Sequence, residues 1–157
     1  MDFKNIDKNL LETILRQVVE EKLSSLTTQN IDFVKENKSG VISVKLDTVK
    51  VSEENRLDTG KLSDIVYTKD VLTLEESSRL GAGIMEMKKT TFDWTLNYDE
   101  IDYIIDGHLD IIINGEKVSA DKGEMIFIPK GSTIKFSVPN YARFLYITYP
   151  ADWNNQN

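Results

Sequence analysis

From Val41 onward the hydrophobic pattern of this 157-residue chain abandons a helical period for a period of two, and keeps it almost to the C-terminus. Short runs of alternating residues fall at 41–46, 48–51, 64–67, 71–74, 80–88, 91–96, 99–105, 109–113, 117–120, 125–128, 132–137 and 143–148, separated by turn-forming residues. Many short strands with no helix between them predict a β-sandwich, jelly roll or barrel. Asn114-Gly115 lies between two such runs, and both residue types tolerate the positive φ of a two-residue type I′ hairpin. The length allows one well-buried domain plus a short appendage.

The appendage is N-terminal. Over residues 1–26, Leu10, Ile14, Leu15, Val18 and Leu23, with Leu11, Val19 and Leu26, recur at helical spacing, while Glu12, Arg16, Glu20 and Glu21 fall on the other side. Residues 27–40 are polar and read as a linker, with the barrel domain at 41–157. The apolar stripe either packs on the following domain or docks onto another protein. A net charge of −7 argues against binding a phosphate backbone, so no nucleic-acid partner is expected. No apolar run is long enough to cross a bilayer, the N-terminus lacks a secretory pattern, and there is no cysteine, which together predict a cytoplasmic protein.

The chemistry concentrates between Trp94 and Gly107. Strand alternation puts Tyr98, Glu100, Asp102 and Ile104 on one face and Ile101, Tyr103 and Ile105 on the other, which predicts one packed face and one lining a cavity. Glu100 and Asp102 side by side are candidates to hold Mg2+ through water, or to share a proton so that one acts as a general acid. The alternative is that neighbouring Lys, Arg or Tyr groups tie both down. Trp94 and Tyr98 share the inferred cavity face and either stack a planar ligand or fill space. Lys135 and Arg143 are candidates for phosphate contacts or for surface ion pairs. Met85 and Met87 read as core, His108 as a strand-surface histidine, Lys130 as a turn lysine, and the Gly60-Lys61 stretch as a surface turn without a phosphate-loop pattern.

These residues resemble the two motifs of the cupin superfamily. Glu100 and Gly107 have the spacing that ends the first motif, and Gly123, Pro129 and Gly131 that of the second. At the positions where metal-binding cupins carry histidines stand Trp94, Leu96 and Ile134, which cannot donate to a metal, so no resident metal is expected. Within the superfamily, the stretch from Phe92 to Trp153 is similar to the EutQ family of ethanolamine-utilisation cupins, and residues 10–23 resemble helices that carry cargo into bacterial microcompartments. The resemblance implies a jelly-roll barrel and a homodimer. It also implies docking of the helix to shell or cargo proteins, and a role in ethanolamine catabolism. There the family is associated with acetate kinase activity, with a magnesium nucleotide as substrate and no tightly bound cofactor. The other reading is a non-catalytic assembly or small-ligand-binding scaffold.

Overall fold

A computed structural model describes residues 12–19 and 32–155. Residues 12–19 form helix α1. Its apolar residues Ile14, Leu15, Val18 and Val19 are 46–55% exposed, so the described residues bury none of them. Leu10 and Leu23 lie outside the described residues.

The expected all-β barrel follows. Its strands are β1 (Lys35–Lys38), β2 (Val41–Val44), β3 (Ile65–Asp70), β4 (Gly81–Thr95), β5 (Asp99–Ile113), β6 (Glu116–Asp121), β7 (Met125–Ile128) and β8 (Thr133–Tyr149). The main sheet is antiparallel with order β3-β4-β8-β5-β6, and β7 also pairs with β5. Asn114 and Gly115 turn between β5 and β6 with φ of 52° and 83°, as the hairpin signal required.

The strands differ from expectation mainly in length. The runs at 80–88 and 91–96 are one strand, as are 99–105 with 109–113 and 132–137 with 143–148. Each apparent gap is a bend rather than an end. The β4–β8 ladder shifts register between Lys88 and Thr90, and the β5–β8 ladder between Ile104 and Asp106 and again between Gly107 and Asp110. A bulge bends and twists a strand without ending its pairing. Gly107 (φ 82°) permits one of these bends, since a Cβ there would stand 2.1 Å from the Tyr141 carbonyl oxygen. The runs at 48–51 and 71–74 are not strands: Leu46–Thr48 is a single 3-10 turn, and Val49 and Val71 pack without a ladder.

The expected linker is structured in its second half. Phe33, Val44, Leu46 and Val51 pack with buried Val49, Val71 and Ile84 on the outside of the main sheet, and β1 pairs with β2. Lys35 anchors this arm, donating to the Val71 carbonyl (2.8 Å) and pairing with Glu76. Inside the barrel, Met85 and Met87 join Phe92, Leu96, Ile104, Ile134, Phe136, Phe144 and Tyr146 in the principal core.

Candidate functional site

The inner face of β5 carries the predicted sequence of side chains. Tyr98, Glu100, Asp102 and Ile104 are all buried, whereas Tyr103 on the opposite face is 45% exposed, so that face is only partly packed. Glu100 stands opposite Ile128 of β7 and Thr148 of β8, and Asp102 opposite Ile126 and Tyr146. Residues directly opposite on paired strands share a face. The acid pair is thus walled by apolar β7 on one side and by Thr148 and Tyr146 on the other.

A cavity of about 10 Å3 lies against Glu100, lined mainly by the rings of Phe92, Trp94, Tyr98, Phe136, Tyr146 and Trp153, with Met85 and Leu57 completing it. The polar tips of these rings are turned to one another or away from the acids. The Trp94 indole Nε1 donates to the Tyr98 hydroxyl (2.8 Å), and the Tyr146 hydroxyl donates to Asp70 Oδ1 (2.6 Å). Trp153 lies against Tyr98 and Tyr146 with ring centroids 5.9 Å from each, and its Nε1 also points to Asp70 Oδ1. Gly83 makes room for this arrangement, because a Cβ there would come within 2.1 Å of the Tyr146 hydroxyl.

The acids themselves are without donors. Among the described residues nothing donates to Glu100 Oε1, to either oxygen of Asp102, or pairs with Thr148 Oγ1. Burial pushes the Glu100 carboxyl up to about 7. Burial, followed by the neighbouring Glu100 charge, pushes Asp102 well above the usual carboxylate range. Two carboxyls side by side without a cation cannot both ionise cheaply, so at neutral pH the pair holds a proton between them. Burial also raises the Tyr98 phenol, with the Glu100 charge adding to it, which leaves Tyr98 neutral.

The structure brings Trp94 and Tyr98 together with the acid pair but separates Lys135 and Arg143 from it. Lys135 lies exposed on the outer face, paired with Asp93. Arg143 faces outward as well, paired with Glu86 and donating through Nη2 to the carbonyls of Leu46 (2.9 Å) and Val49 (2.8 Å), where it pins the N-terminal arm. Neither reaches the cavity. The reading in which Lys, Arg or Tyr groups tie down the acids also fails, since none donates to the orphaned oxygens. Nor do Glu100 and Asp102 fit a magnesium site. Mg2+ demands near-octahedral oxygen coordination and keeps several waters, for which a 10 Å3 space has no room, and no group of three or more His, Cys, Asp or Glu side chains suited to a metal exists among the described residues. His108 is held on the rim by Asp121 (2.6 Å) and Asp110 (2.9 Å), an ion-paired strand histidine.

Tyr146, Thr148 and Trp153 were missed by the sequence reading. Alternation along β8 from Ala142 through Phe144 to Thr148 carried a signal for the first two. Trp153 follows the last strand in an isolated 3-10 turn, and no local pattern marks it.

Residues 6–155 match the family described as ethanolamine utilisation protein EutQ. The chain belongs to the EutQ family. A relative named acetate kinase EutQ from Clostridioides difficile strain 630 is 70% identical over 158 residues, covering the whole of both chains. The EutQ-family relative of the same name from Salmonella typhimurium LT2 is 37% identical over 150 residues, and the match spans 94% of this chain but 64% of that longer protein. A solved structure of Clostridium difficile EutQ superposes with a TM-score of 0.79 at 73% identity, covering 81% of this chain and 93% of that one. The cupin fold is seen again in the likeness to the Schizosaccharomyces pombe Cnp3 cupin domain, with a TM-score of 0.51 at 14% identity over 72% of this chain and 77% of the other. Among the described residues no helix is long and apolar enough to cross a membrane.

Proposed function

We propose that this EutQ-family chain serves ethanolamine catabolism as an acetate kinase. An oxygen of ADP attacks the phosphorus of acetyl phosphate, the bond from phosphorus to the acetyl oxygen breaks, and acetate leaves as ATP forms, with the magnesium nucleotide as substrate. The observation that carries this reading is full-length identity of 70% to a protein named acetate kinase EutQ. Phosphoryl transfer works by positioning and charge stabilisation, which needs cations and room for phosphates. The Glu100–Asp102 cavity supplies neither, so Glu100, Asp102 and Tyr98 are not assigned to the transfer step. A coupled assay with acetyl phosphate, ADP and Mg2+ tests both parts: turnover by wild type that persists in Glu100→Gln supports them, and no turnover by wild type sinks the kinase reading.

A second reading, a non-catalytic scaffold that binds a small ligand, is favoured by the sealed acid pair with its orphaned oxygens. Under either reading, helix α1 docks on a microcompartment shell or cargo protein, for which the exposure of Ile14, Leu15, Val18 and Val19 is the support. Retention of a reporter fused to residues 1–26 on purified shell proteins, above that of a scrambled helix, is the expected result. The barrel works as a homodimer, a reading supported by Tyr103, Met125 and Phe127, which stand 45–56% exposed on neighbouring positions of the outer sheet. Light scattering should give twice the chain mass, and Phe127→Glu should halve it.

A further inference from the structure

Four oxygen atoms inside the barrel are buried without a donor from any described residue: Glu100 Oε1, Asp102 Oδ1 and Oδ2, and Thr148 Oγ1. Their residues are 4%, 0% and 1% exposed. They are also neighbours. Glu100 and Thr148 are directly opposite on β5 and β8, and Asp102 follows Glu100 on the same face. A buried acceptor left unpaired forfeits a hydrogen bond that water would have supplied, and a charged one forfeits more. The Thr148 hydroxyl has one proton to give and the acid pair retains one, so part of this set still lacks a donor.

The adjoining cavity narrows the choice of ligand. Its volume of about 10 Å3 is at the lower limit for a single water-sized body, which excludes nucleotides, acyl phosphates and organic amines. Its wall is mostly aromatic, with no lysine or arginine, and ring faces attract cations most strongly where water is excluded. The Trp94 indole and the Tyr146 phenol donate to Tyr98 and Asp70, and neither reaches the orphaned oxygens. An acid pair that keeps one proton carries one negative charge. A divalent ion would over-neutralise it and would demand a hydration shell the cavity cannot hold. A monovalent cation carrying its own N–H donors meets the charge, the size and the shortage of donors together.

We propose that the cavity bounded by Glu100 and the aromatic wall, with Asp102 and Thr148 next to Glu100 on β5 and β8, is a binding site for the ammonium ion. The inference rests on the ligand-binding reading of the barrel and is independent of phosphoryl transfer. Ammonium donates an N–H bond to Glu100 Oε1 and lies against the rings of Trp94, Tyr98 and Trp153, which wall the cavity.

The test is thermal unfolding of the full chain at pH 8 in ammonium, potassium, sodium and tetramethylammonium chloride at matched ionic strength. Ammonium alone should give a saturable rise in Tm of roughly 3 °C or more, and the rise should vanish in Glu100→Gln. Titration of 15N-ammonium followed by NMR should show a bound signal in wild type that Glu100→Gln lacks. Equal shifts in all four salts, a flat response to ammonium, a potassium shift as large as the ammonium one, or undiminished binding by Glu100→Gln would each overturn the site. Turnover in the coupled assay on the same preparation overturns the non-catalytic reading and leaves the ammonium result standing.

Discussion

Glu100 and Asp110 stand on the same strand, both buried, and their carboxyls shift in opposite directions. Asp110 lies at the rim, where burial alone would raise it. Hydrogen bonds from Ser119 Oγ (2.6 Å), His108 Nε2 (2.9 Å) and Lys117 Nζ (3.3 Å) outweigh that and hold it low. Glu100 faces Ile128 and Thr148, receives no donor at Oε1, and rises to about 7. Burial is common to both; the difference is what the neighbouring strand offers. β6 lays Ser119 directly opposite Asp110, whereas β7 lays Ile128 opposite Glu100. A carboxylate with donors stabilises a fold, and one without them is kept only as an acid or with a ligand.

Neutralising the interior end should have the largest effect. The folded chain holds the Glu100 proton up to about pH 7, while the unfolded chain releases it near its ordinary value of 4.5. Its contribution is therefore present below the unfolded value and lost as pH rises through the folded one, by up to about 3 kcal/mol. Glu100→Gln should unfold at a higher urea concentration than wild type at pH 8 and at nearly the same concentration at pH 4. An equal shift at both pH values would mean that Glu100 is ionised and satisfied in the folded barrel.

Removing the charge at the rim should act in the other direction and less strongly. Asp110→Asn weakens the bonds from His108, Lys117 and Ser119 and should cost about 1–2 kcal/mol at pH 7. Because Asp110 is held low, its contribution is present above the unfolded carboxylate value and disappears as pH falls through the folded one. A cost that stayed constant down to pH 2 would contradict this account.

The smallest effect belongs to His108, whose bonds to Asp121 and then Asp110 raise it while its side chain stays 33% exposed. Its contribution is complete below the unfolded value near 6.5 and fades as pH rises through the raised folded value. His108→Gln should cost under about 1 kcal/mol at pH 6, since solvent screens exposed pairs, and still less at pH 9. A cost that grew with pH would show that the neutral ring is the form the rim stabilises.

Much of the barrel was legible along the chain because strand alternation and turn chemistry are local. The Asn114-Gly115 hairpin, the inward Met85 and Met87, and the shared face of Tyr98, Glu100 and Asp102 all follow from spacing. Strand lengths were not legible, because a bulge at Lys88–Thr90 looks like a chain break in an alternating pattern. For Lys135 and Arg143 the ion-pair alternative is the one the structure shows, and local spacing had no means to choose it over phosphate contacts. Which side of β8 faces inward follows from its spacing, but Asp93 and Glu86, which hold these cations outside, come from a strand far off in sequence. The same distance hid β1 inside an expected linker, since its partner β2 and the anchor at Glu76 are tertiary contacts.

Alternation alone puts Glu100 and Asp102 on one face with Tyr98 and Ile104, while the large Ile101, Tyr103 and Ile105 opposite leave it to the fold to decide that this face is the inner one. Whether those acids meet donors is a property of the strands beside them. Only the closed barrel places Ile126 and Ile128 on one flank, Thr148 and Tyr146 on the other, and Trp153 at the cavity wall. The proton and the ligand that the pair takes are consequences of that enclosure, since a carboxyl in water needs neither.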